Sequence, residues 1–505
     1  MNLTSLVRPH FLKRIGAITY TTMHARDTQR SQLGMLLKNA RDTLVGERYG
    51  FVNINCYDDY RSHVPVSGYA DIRPLVERMI AGEKNILWPG TTRRFAQSSG
   101  TSDGKSKYIP VTADSLRRNH YQGGSDVVST YLNLYPDSRM FDGKGFILGG
   151  SFANELTLPA GVKVGDLSAN LIDAISPLVN LVRVPSKRIA LMEDWRQKLP
   201  ALVKASMRSD ITNISGVPSW FLTVLKEVIT AAGAATIHDV WPHLEVFFHG
   251  GISFKPYREQ YAHITDRSRM RYIETYNASE GFFAVQSEID DPSLLLLLDL
   301  GIFYEFIPTD EVDDKFPRAL PAWEVKEGHT YAMIITSCNG LWRYALGDTV
   351  TVVSVNPLKI IISGRTKHYI NAFGEELMVY NADAAIASTC RELDCAITNY
   401  TAAPVYAGDK SRGRHEWLIE FNREPDDIEA FADTLDRHLC HENSDYQAKR
   451  AGNLFLDRLS IVKGRPGVFD EWLASTGKLG GQRKVPRLNN DRRVIDSLLH
   501  LNNMK

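Results

Sequence analysis

Residues 97–110 read Gln-Ser-Ser-Gly-Thr-Ser-Asp-Gly-Lys-Ser-Lys-Tyr-Ile-Pro, and the reading of this stretch decides the fold. Arg94-Phe95-Ala96 before it has the pattern of a strand end. Tyr108-Ile109-Pro110-Val111 after it reads as a second strand, and Thr112 is placed to cap a helix. Between them, small residues let backbone N–H groups turn inward, hydroxyls add donors and lysines add charge. Those are the parts of a polyphosphate cradle.

Three motifs compete for the loop. A Walker A loop has four residues between its glycines, but Gly100 and Gly104 are separated by three, so Lys105-Ser106 arrive one residue early. A nucleophile elbow, G-x-S-x-G, is matched by Gly100-Thr101-Ser102-Asp103-Gly104. The Ser/Thr/Gly-rich loop of adenylate-forming enzymes, roughly S-S-G-T-[ST]-G-x-x-K, is followed by Ser98 to Lys107 with a one-residue spacer. The loop alone does not choose among them.

At 505 residues the chain has room for two or three domains and a large core. Fifty-nine basic side chains balance 59 acidic ones, which argues against a nucleic-acid-binding face or an acidic tail. The leucine run Leu294 to Leu298 is far too short to span a bilayer. Five scattered cysteines make no disulfide framework and suit a reducing, cytoplasmic setting. The first acidic residue is Asp27, after Arg8, Lys13, Arg14 and Arg26; an ordinary first helix is expected there rather than a transit peptide. Without an exposed heptad or long edge strand, a monomer is expected.

Along the chain, helical spacing appears over 30–45 and from Asp71 to Ala81, with Pro74 suiting a first turn and Gly82 a stop. Gly143 to Gly150 lacks G-x-G-x-x-G spacing and reads as a strand between turns. Strands follow at Leu244 to Phe248, Arg271 to Tyr276, Ile302 to Ile307, Tyr331 to Thr336 and Val350 to Val355. Several stop at small polar turns: His249-Gly250-Gly251, Asn277-Ala278-Ser279-Glu280-Gly281, and Gly347-Asp348. Ligand chemistry at the strand ends of an α/β sheet is implied. After Ile360 to Arg365 the pattern shortens to helices at 381–391 and 426–439 and strands near Ala396, Trp417 and Leu459 to Val462, a compact α+β unit. The expected division is a large α/β domain over 1–363 and a small one over 364–505, with a hinge at 364–368.

The turns Tyr276 to Gly281 and Arg343 to Asp348 and the stretch Ser363 to Lys367 occur in the order used by adenylate-forming enzymes. Within that superfamily the chain resembles the "Gretchen Hagen" auxin-responsive acyl acid amido synthetases over nearly its full length. VPVSGYADIRPLVERMIAGE before the loop, GIFYEFIP (Gly301 to Pro308), NGLWRYALGDTV, and Gln482-Arg483-Lys484-Val485-Pro486-Arg487 near the end carry the resemblance. It implies a multi-subdomain N-terminal adenylation domain and a mobile C-terminal lid. It also implies two half-reactions: a small organic acid attacks the α-phosphate of ATP, and an amino acid amine then displaces AMP from the acyl-adenylate. Such chemistry asks for charge neutralisation and alignment more than for a side-chain nucleophile.

By the same resemblance, Ser98, Ser99, Thr101 and Ser102 donate to the β- and γ-phosphates, with Lys107 or Lys105 nearby. Glu280 is the magnesium ligand, a hard oxygen suited to that ion. Gly250 and Gly251 let adenine approach the backbone, Tyr276 and Ser279 border adenine and the α-phosphate, and Asp348 accepts both ribose hydroxyls. Arg365 holds ribose or phosphate, Lys367 sits at the hinge, and Lys484 reaches the α-phosphate in one closure state. Asp103 departs from the family loop by placing a negative charge near the phosphates. His368 leaves the hinge uncertain by one residue, and Lys478 is an alternative catalytic lysine.

Plainer readings exist for several of these residues. Glu280 could be a helix-terminal charge, Asp348 a turn residue, Lys484 a surface lysine, and His249 a hydrogen-bonded histidine at a strand end. His438, Cys440 and His441 lack a partner pair at zinc-finger spacing. The alternative activities are a coenzyme A thioester ligase of the same superfamily and a serine hydrolase using Ser102. For the hydrolase the order is wrong, because the His-Gly-Gly motif follows the nucleophile. The acid pocket is expected from 141–184 and 215–221; neither acid nor amine is named by the sequence.

Overall fold

A computed structural model describes residues 2–98, 106–154, 156–252, 254, 257–312, 314, 317–365, 369–406, 412–451, 456–475 and 485–503. Twelve strands form one continuous sheet. From one edge, Arg183–Val184, Lys144–Ile147, Ile211–Gly216, Val246–Gly250 and Arg271–Ala278 run parallel. Parallel neighbours need crossovers, and helices supply them, among them Trp195–Ser206 and Pro218–Ala232. Beyond Arg271–Ala278 the sheet turns antiparallel through Gly281–Gln286, Leu294–Leu296, Leu358–Arg365, Leu341–Val355, Thr330–Ser337, Ile302–Pro308 and Leu320–Pro321.

A separate three-stranded sheet sets Arg94–Ser98 between Lys107–Pro110 and Lys163–Gly165, so Ser98 lies opposite Lys107 at the base of the loop that links the first two strands. Thr112 caps as expected: its Oγ1 accepts from the Ser115 amide at 2.9 Å. The C-terminal part is a smaller α+β unit. Its sheet of Ala396–Val405, Arg414–Arg423 and Ser460–Gly464 packs with helices Val379–Glu392 and Ile428–Glu442. The chain is therefore mixed α/β, with a large sheet domain followed by a smaller one.

The first helix is Leu3–Met23. Arg14 pins it, bridging Asp126 at 2.9 Å and Asp299 at 2.7 Å. The helix expected at 71–81 runs Tyr69–Ile80, which moves Pro74 out of the first turn. Pro74 removes one backbone hydrogen bond, but Ala70 and Pro74 are both on the exposed side, where water meets the freed carbonyl. Phe146, Phe221 and Leu225 are fully buried, and each such side chain stabilises by about 1.5–3 kcal/mol.

One expectation is corrected. Arg343 to Asp348 is not a turn between two strands but part of a single strand, Leu341–Val355. Its pairing with Thr330–Ser337 is irregular, Arg343 has φ +44° and Gly347 has φ +87°. These bulges bend the strand without ending it. Arg343 turns away from the cleft and bonds Glu305 at 2.9 Å, with both side chains buried. Its Nη1 also donates to the Val64 carbonyl at 2.8 Å. The charged residues of two family-like segments are thus partners inside the core.

Candidate active site

A cleft of roughly 2710 Å³ opens along the C-terminal ends of the parallel strands, where ligands collect in open α/β sheets. Ser98, Lys107, Gly250, Gly251, Tyr276, Ser279, Glu280 and Asp348 all line it. They come from four separate stretches of chain: the two strands at the loop, the end of Val246–Gly250, the hairpin after Arg271–Ala278, and the bulged strand.

Gly250 closes its strand against a wall that tolerates no side chain. A Cβ there would lie 2.4 Å from the Thr275 carbonyl oxygen. Gly251 follows at φ +84°, which favours glycine. Together they bring bare backbone to the cleft.

The Tyr276 hydroxyl donates to Asp348 Oδ2 at 2.7 Å, and both residues are buried. This bond crosses from the parallel half of the sheet to the antiparallel half. Glu280 occupies the turn between Arg271–Ala278 and Gly281–Gln286. Burial raises its pKa, with Lys107 opposing and Glu376 and Asp348 reinforcing the rise. A carboxylate penalised by burial and facing one lysine gains from a cation. Among the described residues no group of three or more His, Cys, Asp or Glu could cage a metal.

Arg365 is opposite Asp348 in the strand ladder. Ser99, Thr101, Ser102, Asp103 and Lys105 of the loop, Lys367 and His368 of the expected hinge, and Lys478 and Lys484 lie outside the described residues. The plainer reading of His249 as a hydrogen-bonded strand-end residue finds no support at Nδ1, which has no partner among the described residues. Its ring stacks on Phe254 at 4.3 Å. Burial, helped by Arg258, lowers its pKa to about 3, so it stays neutral. His438 pairs with Glu392 at 3.0 Å.

The regions expected to form the acid pocket do line the cleft, through Phe141, Leu148, Leu171, Val217 and Trp220 among others. Two buried lysines there were not foreseen. Lys198 Nζ donates to the Gly149 carbonyl at 2.6 Å, and burial lowers its pKa to about 8. Lys449, from the C-terminal part, lies 3.8 Å from the centre of the Trp220 ring. Lys198 had a legible signal, since it shares a helical face with Trp195 and Leu202, where a charge is out of place. Lys449 had none. The C-terminal part also meets the large sheet's side through Tyr257, whose hydroxyl donates to the Ala372 carbonyl at 2.5 Å.

Comparison with known proteins places this geometry in a family. The GH3 family N-terminal domain matches residues 14–270, the GH3 family central domain residues 295–365, and the GH3 family C-terminal domain residues 380–493. A probable indole-3-acetic acid-amido synthetase GH3.1 of Arabidopsis thaliana is 22% identical over 96% of this chain and 93% of its own. The indole-3-acetic acid-amido synthetase GH3.8 of Oryza sativa subsp. indica is 22% identical over 94% and 90%. Among solved structures, the AtGH3.15 acyl acid amido synthetase in complex with 2,4-DB superposes with a TM-score of 0.63 at 18% identity, covering 98% of this chain and 96% of that one. A 2-hydroxyisobutyryl-CoA ligase with 2-HIB-AMP and CoA superposes at 0.56 and 13% identity over 94% and 92%. Among the described residues no helix is long and apolar enough to cross a membrane. Cleft, sheet order and matched segments lead to one conclusion: the chain belongs to the GH3 family.

Proposed function

We propose that this protein is an ATP-dependent acyl acid amido synthetase, an AMP-forming ligase that joins a small carboxylic acid to the amine of an amino acid. The observation that carries the reading is the convergence of Lys107, Gly250, Tyr276, Glu280 and Asp348 on one cleft, in a chain of the GH3 family whose relatives bear amido synthetase names.

In this reading the loop hydroxyls of Ser98, Ser99, Thr101 and Ser102 and the Lys107 ammonium hold the β- and γ-phosphates. Gly250 and Gly251 let the adenine lie against backbone. Asp348, oriented by Tyr276, accepts the ribose hydroxyls, and Arg365 supports ribose or phosphate. Ser279 borders the α-phosphate. Glu280 would hold Mg²⁺, which neutralises charge on the phosphates. The acid's carboxylate oxygen attacks the α-phosphorus and pyrophosphate leaves. The amine then attacks the acyl carbon, the C–O bond breaks, and AMP departs with that oxygen. Lys484, or Lys478 in its place, serves the α-phosphate from a lid over 364–505 that swings on a hinge near 364–368. Five free thiols suit a reducing, cytoplasmic compartment, and a monomer suffices for the site.

Acid-dependent exchange of labelled pyrophosphate into ATP tests the first half-reaction. We expect exchange with wild type and its loss in Glu280→Gln. Replacing the amino acid by coenzyme A in the second step separates amide from thioester formation; a thioester product alone would overturn the acceptor assignment.

A further inference from the structure

The smaller unit brings carboxylates of its own to the cleft, and one of them stands on a hairpin close to the site. That hairpin pairs Tyr369–Ile370 with Leu377–Met378 and begins four residues after Arg365, which is opposite Asp348. Its loop, 371–376, ends in two adjacent glutamates with opposite fates. Glu375 is fully buried and holds the loop in shape. It accepts from the Ala372 and Phe373 amides at 3.2 and 2.6 Å and pairs with His415 at 2.7 Å. Glu376 is half-buried and lines the cleft. Its backbone is left-handed, φ +37°, a conformation that a residue with a side chain rarely adopts. Both sides of that backbone are tied. The Glu376 N–H donates to Asn371 Oδ1 at 3.3 Å, and its carbonyl accepts from Asn443 Nδ2 at 3.2 Å. The large unit also grips the loop, through Ser219 Oγ on the Phe373 carbonyl at 3.3 Å and the Tyr257 hydroxyl on the Ala372 carbonyl.

Glu376 is near the reacting groups. Its charge helps to raise the pKa of Glu280, as that of Asp348 does, and beyond about 10 Å salt screens such an effect between groups open to water. In the reading above, the α-phosphate of the acyl-adenylate faces Ser279 and Glu280. The remaining span holds a hydrogen bond of about 3 Å from Glu376 to an amine and an attack distance of about 3–3.5 Å from that amine to the acyl carbon. The chemistry asks for such a group. An amino acid arrives as an ammonium, which has no lone pair until a proton leaves, and a base must stand within hydrogen-bond reach to take it. Glu280 and Asp348 are already given to magnesium and ribose.

Resting on the amido synthetase reading, we propose that Glu376 is the catalytic base of the second half-reaction, binding the acceptor's ammonium and taking one proton from it. The freed lone pair forms the C–N bond to the acyl carbon, the bond from that carbon to the phosphate oxygen breaks, and the second proton leaves with AMP.

The test isolates that step. Acyl-adenylate is built up on the enzyme from ATP, magnesium and one acid of the panel benzoate, indole-3-acetate and octanoate. A single turnover is then started with either a mixture of the standard amino acids or hydroxylamine, which is already uncharged at neutral pH and needs no base. Glu376→Gln should slow amide formation with amino acids by about a hundredfold and hydroxamate formation by no more than about threefold, because only the first needs a positioned base. Glu376→Gly, which suits φ +37°, removes the same carboxylate and serves if a circular dichroism melt shows the glutamine variant unfolded. A folded variant that slows both nucleophiles alike, or makes amide at the wild-type rate, would overturn the proposal and leave the parent reading intact. No adenylate with any acid, or adenylate that no amino acid discharges, would remove the parent reading and the proposal together.

Discussion

The two halves of the large sheet contribute to the cleft in different ways. In the parallel half, Gly250, Tyr276, Ser279 and Glu280 sit where strands end, so the site follows from where the strands stop. In the antiparallel half, Asp348 sits within a 15-residue strand. A left-handed Gly347 beside it and the Arg343–Glu305 pair behind it set the strand's path. One half presents ligand groups by termination, the other by distortion. A distorted strand needs a buried anchor, and termination needs only space.

The largest effect should come from removing the anchor. Glu305→Ala leaves the Arg343 guanidinium buried and unpaired, and it should cost about 3–5 kcal/mol in urea unfolding. Exchange should fall as well, although Glu305 does not line the cleft. Replacing both partners by Met and Leu should recover much of the stability. If Glu305→Ala unfolds like wild type, the distorted strand does not depend on its anchor.

In the parallel half, Gly250→Val asks for space that is already filled. The new Cβ meets the Thr275 carbonyl oxygen, and overpacking of this kind costs about 1–3 kcal/mol. Nucleotide affinity measured by calorimetry should fall with it. Tyr276→Phe breaks the bond that joins the halves and should weaken nucleotide binding by about 1.5 kcal/mol. An unchanged affinity would mean that Asp348 needs no orientation from the other half.

Glu280→Gln should have a smaller effect and, in stability, the opposite sign. Burial raises the Glu280 pKa above the ordinary 4.5, so the folded state favours the protonated form. The stability this contributes is present below the unfolded pKa and lost as pH rises through the folded one. The variant should therefore melt higher than wild type at pH 7, with the gap closing toward pH 4, while losing exchange.

At neutral pH the smallest expected effect comes from His249, which acts only on the acid limb of stability. His249, lowered from 6.5 to about 3, binds a proton more weakly when folded. Stability is lost as pH falls below 6.5 toward 3. His249→Phe should flatten that limb, and exchange should show no inflection from this residue.

Much of the parallel half was legible in the sequence because apolar runs stopped at small polar turns, and those stops line the cleft. The reading of Arg343 to Asp348 as a turn failed for a physical reason. Gly347-Asp348 is turn chemistry, and a bulge uses the same residues without ending the strand. Lys449 could not be found from local pattern. Its surroundings come from a segment far away in sequence, at Trp220. Lys198 could have been found, as a charge on an apolar helical face.

The central claim is that one cleft transfers the AMP moiety of ATP to a carboxylic acid. The most direct measurement supplies the acid with ¹⁸O in both carboxylate positions, together with ATP, magnesium and an amino acid, and weighs the AMP released. The account predicts one ¹⁸O in AMP for every amide formed. AMP that carries no label while amide accumulates would contradict it.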